Sequence, residues 1–184
     1  MKIKKLIITL FLLFLFYSAS VSNTVTARDT SKYYKTAAVL DEINKMYIPD
    51  FTYEKDGISH NFSDSRGKIV FINLWATWCG PCRKEMPDLI KLYDKYSGNN
   101  FEILGILVAD KPENLDEYLI YNDINYKIIY GNDKLISAIS RAIGQTIESI
   151  PFTIIVDENG RVTETFVGTR TYEVFESILK KFIN

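Results

Sequence analysis

The sequence predicts an α/β protein with a central mixed sheet flanked by helices and an added β-hairpin at its N-terminal side. Three observations predict it. Residues 69–76, 101–108 and 152–156 are near-continuous apolar runs, as strands buried on both faces require. Segments between them carry apolar residues at helical spacing. Glu158-Asn159-Gly160 joins the last two strand candidates too tightly for any but an antiparallel pairing.

Bulk properties set limits. The 184 residues fit one domain plus an appendage, and 47% hydrophobic with 24% charged residues describe a globular body able to bury its own core. A net charge of −1 gives no electrostatic reason to bind nucleic acid or an anionic membrane surface. The twelve tyrosines read as packing. There are two cysteines and one histidine, His60, which is expected to be solvated in a turn-rich segment. That set cannot complete a zinc or iron–sulfur site, so no cofactor and no metal is expected.

Residues 1–22 read as a signal peptide or N-terminal membrane anchor. Lys2, Lys4 and Lys5 precede an apolar run from Leu6 to Tyr17, and the small residues Ser18, Ala19, Ser20 and Ser22 follow. A basic start, an apolar centre and a small-residue exit make a secretory signal, with cleavage points after Ser20, Ser22 or Ala27. An uncleaved anchor is the alternative, because residues 6–22 reach the lower limit for crossing a bilayer. No cysteine follows the run, which excludes a lipoprotein anchor. Either way the lysines hold that end in the cytoplasm. The rest is expected to be exported, to a bacterial periplasm or the outer face of the cytoplasmic membrane.

Residues 23–46 are expected to form a linker and a short helix, the latter from the spacing of Val39, Leu40, Ile43, Met46 and Tyr47. The domain proper then spans 47–184. Asp56-Gly57 between runs 51–54 and 58–62 signals the hairpin, because glycine accepts the positive φ of such turns. After the strand at 69–76, Pro81 opens a helix with Met86, Leu89, Leu92, Tyr93 and Tyr96 inward. A strand at 101–108, a helix after Pro112 marked by Leu115, Tyr118 and Leu119, and a strand at 127–130 follow. Asn132 caps the next helix, Leu135, Ile136, Ile139 and Ile143 face its core, and Gly144 ends it. Strands at 152–156 and 162–167 precede a last helical face of Tyr172, Phe175, Ile178, Leu179 and Phe182. The alternation of strands and helices implies parallel strands with right-handed crossovers.

Cys79 and Cys82 carry the chemistry. A disulfide closing so short a loop adds little stability, which argues against a purely structural role. Cys79 falls between a buried strand and a helix start, where free N–H groups and the helix dipole favour a negative sulfur. Its pKa is expected near about 7, against about 8.5 for a free thiol. Gly80 permits close approach, and Pro81 in the first turn loses no hydrogen bond. Cys79 is expected to lie open to solvent and to attack a substrate disulfide. Cys82, one turn in and less exposed, would resolve the mixed disulfide.

The stretch Asn73-Leu-Trp-Ala-Thr-Trp-Cys-Gly-Pro-Cys-Arg-Lys-Glu-Met-Pro87 resembles the active site of the TlpA/ResA-like exported thioredoxins. Ile48-Pro-Asp-Phe51 and the hairpin resemble that family's entry, and Ser149-Ile-Pro-Phe-Thr-Ile-Ile-Val-Asp157 its cis-proline strand. The resemblance covers residues 47–184 and implies a thioredoxin-like fold with a cis Ile150–Pro151 bond facing the cysteines. The plain alternative is an ordinary strand-start proline. It also implies that the backbone at Ile150 and Pro151 receives the substrate chain. Gly80 and Pro81 beside the cysteines are expected to contact substrate as well, as is Trp78 on the active-site rim, while Trp75 is expected in the core. Cytoplasmic thioredoxins carry a buried aspartate six residues before the first cysteine, where this chain has Asn73, which cannot accept a proton. The resembling family instead has a glutamate three residues after the second cysteine, and Glu85 matches it. On a helix Glu85 shares a face with Cys82, where a partly buried carboxyl would take the Cys82 proton; otherwise it is a solvated helix glutamate.

The resemblance further implies exported protein disulfides as substrates, the haem-binding cysteines of apocytochromes c among them, and a membrane thiol electron transporter as reductant. Gly-Pro between the cysteines resembles reducing thioredoxins, near about −270 mV, rather than strong oxidants near about −120 mV. A disulfide-forming oxidant is the alternative within the same chemistry. A Cu(I)-binding module using both thiolates is the alternative outside it.

Overall fold

The computed structural model describes residues 47–55 and 57–183; the expected signal or anchor, the linker and the short helix before Tyr47 lie outside them. The described chain enters beside the sheet, where Tyr47 bridges Arg161 and Ile48 N donates to Gly160 O at 3.1 Å. Strands β1 (Thr52–Lys55) and β2 (Ile58–Asn61) pair antiparallel, with Gly57 at φ 73° in the turn. Phe62, expected to end the second strand, instead starts a 3-10 turn (Phe62–Ser65) and stacks its ring on Phe51 at 5.1 Å. His60 lies on β2 rather than in a turn, stacked on Tyr53 at 5.5 Å.

The main sheet contains β3 (Ile69–Trp75), β4 (Phe101–Leu107), β5 (Lys127–Tyr130), β6 (Phe152–Val156) and β7 (Val162–Val167) in the order β5–β4–β3–β6–β7. β3, β4 and β5 run parallel; β6 is antiparallel to β3, and β7 to β6. The helices are α1 (Gly80–Tyr96), α2 (Pro112–Tyr121), α3 (Asp133–Ile143) and α4 (Tyr172–Leu179). This is the layered mixed sheet that the apolar runs and crossovers predict, in the thioredoxin-like arrangement that the resemblance implies. Among the described residues no helix is long and apolar enough to cross a membrane.

Side-chain alternation on β3 divides the core in two. Val70, Ile72 and Leu74 pack with Ile48, Tyr53 and Phe62 of the hairpin region and Ile139 of α3. Ile69 and Phe71 pack with Leu89 and Leu92 of α1 and Phe175, Ile178 and Leu179 of α4. By the same period of two, Asn73 belongs to the α1 side. The cap and stop of α3 are as the residues predict: Asn132 accepts from Leu135 N at 2.9 Å, and Gly144 sits at φ 69°. Two faces differ from expectation. On α2 only Leu115 is buried and Leu119 is 41% exposed, while α4 ends at Leu179, leaving Phe182 to pack from the turn beyond.

Glu102 is a buried charge inside the apolar strand β4. It accepts from Lys127 at 2.5 Å, Lys68 at 3.1 Å and the Ser65 hydroxyl at 2.9 Å. Burial opposes its charge, but these donors outweigh burial and hold the carboxyl below its usual range. Lys127 also donates to the Tyr53 hydroxyl at 2.9 Å, tying the hairpin to the edge of the main sheet.

Candidate active site

The turn after β3 delivers Cys79 to the N-cap of α1. Cys79 has φ −77° and ψ 105°, and its Sγ accepts from Cys82 N at 3.2 Å. Gly80 and Pro81 follow at the start of the helix, where a proline removes no intrahelical bond. Cys79 and Cys82 are joined in a disulfide with their Cα atoms 5.3 Å apart. The first turn of α1 thus directs the Cys82 N–H at the Cys79 sulfur, at the positive end of the helix dipole.

Cys79 is not open to solvent in this oxidised form: it and Cys82 are each 3% exposed. Both belong to a cluster with Trp75, Ala76, Met86 and Leu115, against which Ile150 packs. Cys79 Sγ lies 3.9 Å from the Ile150 carbonyl oxygen. A disulfide sulfur carries no hydrogen, so this is a van der Waals approach and becomes an S–H···O contact only on reduction. The Ile150–Pro151 bond is cis. Trp78 is the exposed element of the rim, at 59%. It shares with Leu74, Val108, Ile136, Ile147 and Ile150 a groove of about 450 Å³ beside the cysteines.

A loop after β4 fixes the turn that presents Cys79. Asp110 Oδ2 accepts from both the backbone N and the hydroxyl of Thr77, each at 2.7 Å. Asp110 Oδ1 accepts from Asn114 Nδ2 at 2.7 Å and Lys111 N at 2.9 Å. Burial works against the Asp110 charge, but the Thr77, Asn114 and Lys111 bonds prevail and hold its pKa down. Next to it, Ala109 sits at φ 51° and its carbonyl accepts from Trp78 Nε1 at 3.0 Å.

Glu85 lies on α1, three residues beyond Cys82, and is 1% exposed. Its Oε1 accepts from Asn73 Nδ2 at 3.0 Å and its Oε2 from Arg170 N at 2.6 Å. Asn73 Nδ2 also donates to Thr153 Oγ1 at 3.0 Å. Burial is the largest influence on this carboxyl and pushes its pKa from 4.5 up to about 7, against the opposing pull of the Arg170 N–H and Asn73. Glu85 is therefore a buried, hydrogen-bonded carboxyl poised near neutrality, not a solvated helix residue.

The structure brings Cys79, Cys82 and Ile150 together and sets Trp78 and Ile150 on one groove. Gly80 and Pro81 hold the helix start, and Pro151 begins the approach to β6. Thr77, Asp110, Thr153 and Arg170 also shape the site, yet none stands out in the sequence. Each acts across a long chain separation from a polar segment or strand position of ordinary composition. Asn73, a lone amide in an apolar strand, was the one local signal.

A cysteine pair at the start of the helix that follows the central strand of such a sheet defines a thiol–disulfide oxidoreductase of the thioredoxin fold. Comparison with known proteins agrees. The pattern of the Redoxin family matches residues 43–181. The thiol-disulfide oxidoreductase ResA of Geobacillus thermodenitrificans is 33% identical over 127 residues, 68% of this chain and 70% of that protein. ResA of Bacillus anthracis is 34% identical over 135 residues, 72% and 75% of the two chains. A crystal structure of a thioredoxin-family thiol:disulfide interchange protein from Chlorobium tepidum TLS matches with a TM-score of 0.69 at 30% identity, covering 74% of this chain and 95% of that one. The chain belongs to the redoxin family, as a TlpA/ResA-like thiol–disulfide oxidoreductase.

Proposed function

We propose that the protein reduces disulfides of exported proteins outside the cytoplasmic membrane, with Cys79 attacking, Cys82 resolving and Glu85 serving Cys82 as base. The observation that carries this reading is the placement of Cys79 Sγ at the N-cap of α1, 3.2 Å from Cys82 N. In the dithiol form that N–H and the helix dipole favour the Cys79 thiolate. The thiolate attacks one sulfur of a substrate disulfide; a Cys79–substrate bond forms, the substrate S–S bond breaks, and the departing thiolate takes a proton. Glu85 then accepts the Cys82 proton. The Cys82 thiolate attacks Cys79, forming the disulfide seen here and expelling the second substrate thiolate, which is protonated in turn. Two electrons pass from the dithiol to the substrate.

The groove lined by Trp78 and Ile150 suits an extended segment carrying the target cysteine, and Gly80, Pro81 and Pro151, neighbours of the cysteines and of Ile150 in the chain, are the further residues proposed to meet it. The signal-like residues 1–22 support an extracytoplasmic location, as does the likeness to a secreted thiol-disulfide isomerase from Corynebacterium glutamicum (TM-score 0.63, 26% identity, 71% of this chain and 81% of that one). Apocytochrome c cysteines as substrates and a membrane thiol transporter as electron donor rest on the family resemblance. The test is a trap. Cys82→Ser, expressed in its host, is expected to hold exported proteins on Cys79 through bonds that dithiothreitol releases, while Cys79→Ser holds none. Equal capture by both variants defeats the assignment. A potential measured near about −120 mV instead of near about −270 mV would turn the reductant into an oxidant.

A further inference from the structure

Asn73 and Thr153 are register partners across β3 and β6. Their side chains and Glu85 form a line of buried polar groups, at 2%, 1% and 1% exposure respectively. The two hydrogens of Asn73 Nδ2 are divided, one to Glu85 Oε1 and one to Thr153 Oγ1, both at 3.0 Å. An amide has two ends of opposite character. Its oxygen turned toward Glu85 would repel a carboxylate and favour the neutral acid. Its nitrogen turned toward Glu85 favours the carboxylate, and it can do so without orphaning its second hydrogen because Thr153 receives it.

We propose that Asn73 and Thr153 are positioning residues for Glu85, a strand-to-strand relay that keeps an N–H donor on Oε1 so that the buried side chain can act as a base. This rests on the reading of Glu85 given above. An aspartate at 73 would do the reverse, setting a second carboxyl against the first so that the two share a proton. The charged and polar groups around Glu85, on its own helix and on other elements, divide in sign. The N–H and charge of Arg170, in the loop before α4, favour ionisation, and Asp88 on α1 opposes it. Tyr126, ahead of β5, is fully buried, and its phenol is pushed up by burial and by Glu85, so it stays neutral. Cys79 and Cys82 on α1 do not titrate while joined.

The experiment follows the Glu85 carboxyl by carbon-13 NMR against pH in the full-length oxidised protein, with Glu85→Gln assigning the resonance. Asn73→Leu is expected to raise the Glu85 midpoint by about one pH unit, a tenfold change in its ionisation constant, because a donor to the charged form is lost. Thr153→Val is expected to move it the same way by a smaller amount, and Thr153→Ser to restore it. Thr153→Val is nearly isosteric and keeps the test alive should Asn73→Leu fail to fold. A midpoint unmoved in Thr153→Val and in any folded Asn73→Leu overturns the proposal. The same variants, reduced, are then assayed for disulfide reduction across pH. Midpoints and the acid limb of the rate profile shifting together support both readings. Midpoints shifting under an unchanged limb uphold the positioning of Glu85 and overturn its role as base.

Discussion

Glu85 on α1 and Arg170 in the loop before α4 are 85 positions apart in the chain, and the Arg170 N–H donates to Glu85 Oε2 at 2.6 Å. The loop is held in turn by Gly168 N, which donates to Pro151 O at 2.8 Å. One carboxyl thus joins the cysteine-bearing helix to the segment after the last strand. Burial makes it harder to ionise than it would be in the unfolded chain.

That cost sets a pH dependence. Glu85 titrates near about 7 when folded and near 4.5 otherwise, so between those values the folded protein binds more protons than the unfolded chain. Stability therefore falls as pH rises from about 4.5 to about 7 and stays at the lower level above. Glu85→Gln is expected to flatten this slope and to gain up to about 3 kcal/mol at pH 8, read by urea unfolding of the oxidised protein at several pH values. A parent protein with no slope in that window contradicts a raised folded pKa.

Asp110 behaves in the opposite sense. Its pKa is held down in the folded protein, so the stability it lends is present above its ordinary value of 3.8 and is lost as pH falls through the folded one. Asp110→Ala leaves the Thr77 N–H and hydroxyl without their acceptor and is expected to cost about 1–2 kcal/mol. It should also slow alkylation of Cys79 by loosening the turn that presents it. Stopped-flow alkylation and urea melts of the same sample check both.

Trp78 is exposed, and among the described residues its indole makes one hydrogen bond, from Nε1 to Ala109 O. Trp78→Ala is expected to change stability by no more than about 0.5 kcal/mol while raising KM for a protein disulfide about tenfold, the equivalent of about 1.4 kcal/mol of contact. A small disulfide such as oxidised dithiothreitol, too short to fill the groove, should show little difference. Equal loss on both substrates would place Trp78 outside substrate recognition.

Lys127→Met leaves Glu102 with Lys68 and Ser65 alone and releases Tyr53 of the hairpin. Breaking one side of a buried pair is expected to cost about 2–4 kcal/mol, measured by chemical unfolding. Hydrogen exchange in β1 and β2 should rise with it. Lys127→Met with Glu102→Gln should recover part of the loss, since no uncompensated buried charge then remains.

Much of this architecture is readable in residue order. Strands β5, β6 and β7 have the bounds read from the sequence, with Gly131, Pro151 and Gly160-Arg161 beside them as interruptions. The α3 boundaries follow from Asn132 and Gly144, whose side chain and φ do local work. What escaped was non-local. Glu102 hides in an apolar run because its partners stand 25, 34 and 37 positions away. The cover over Cys79 comes from Ile150, 71 positions on, and no local spacing announces it. Glu85 was legible only as a matching position; its burial, its two donors and Thr153 behind Asn73 needed the folded sheet.

The wiring of the carboxyl has a consequence for how the chain matures. A polypeptide ending shortly after α1 already has both cysteines and the helix that joins them. It has neither the hydroxyl from β6 nor the main-chain hydrogen from residue 170. On the proposed reading of Glu85, its help at the second sulfur is complete only with the final stretch of chain: a fragment ending shortly after α1 carries a thiol pair beside a carboxyl that still lacks the Arg170 N–H, and an Asn73 that still lacks Thr153.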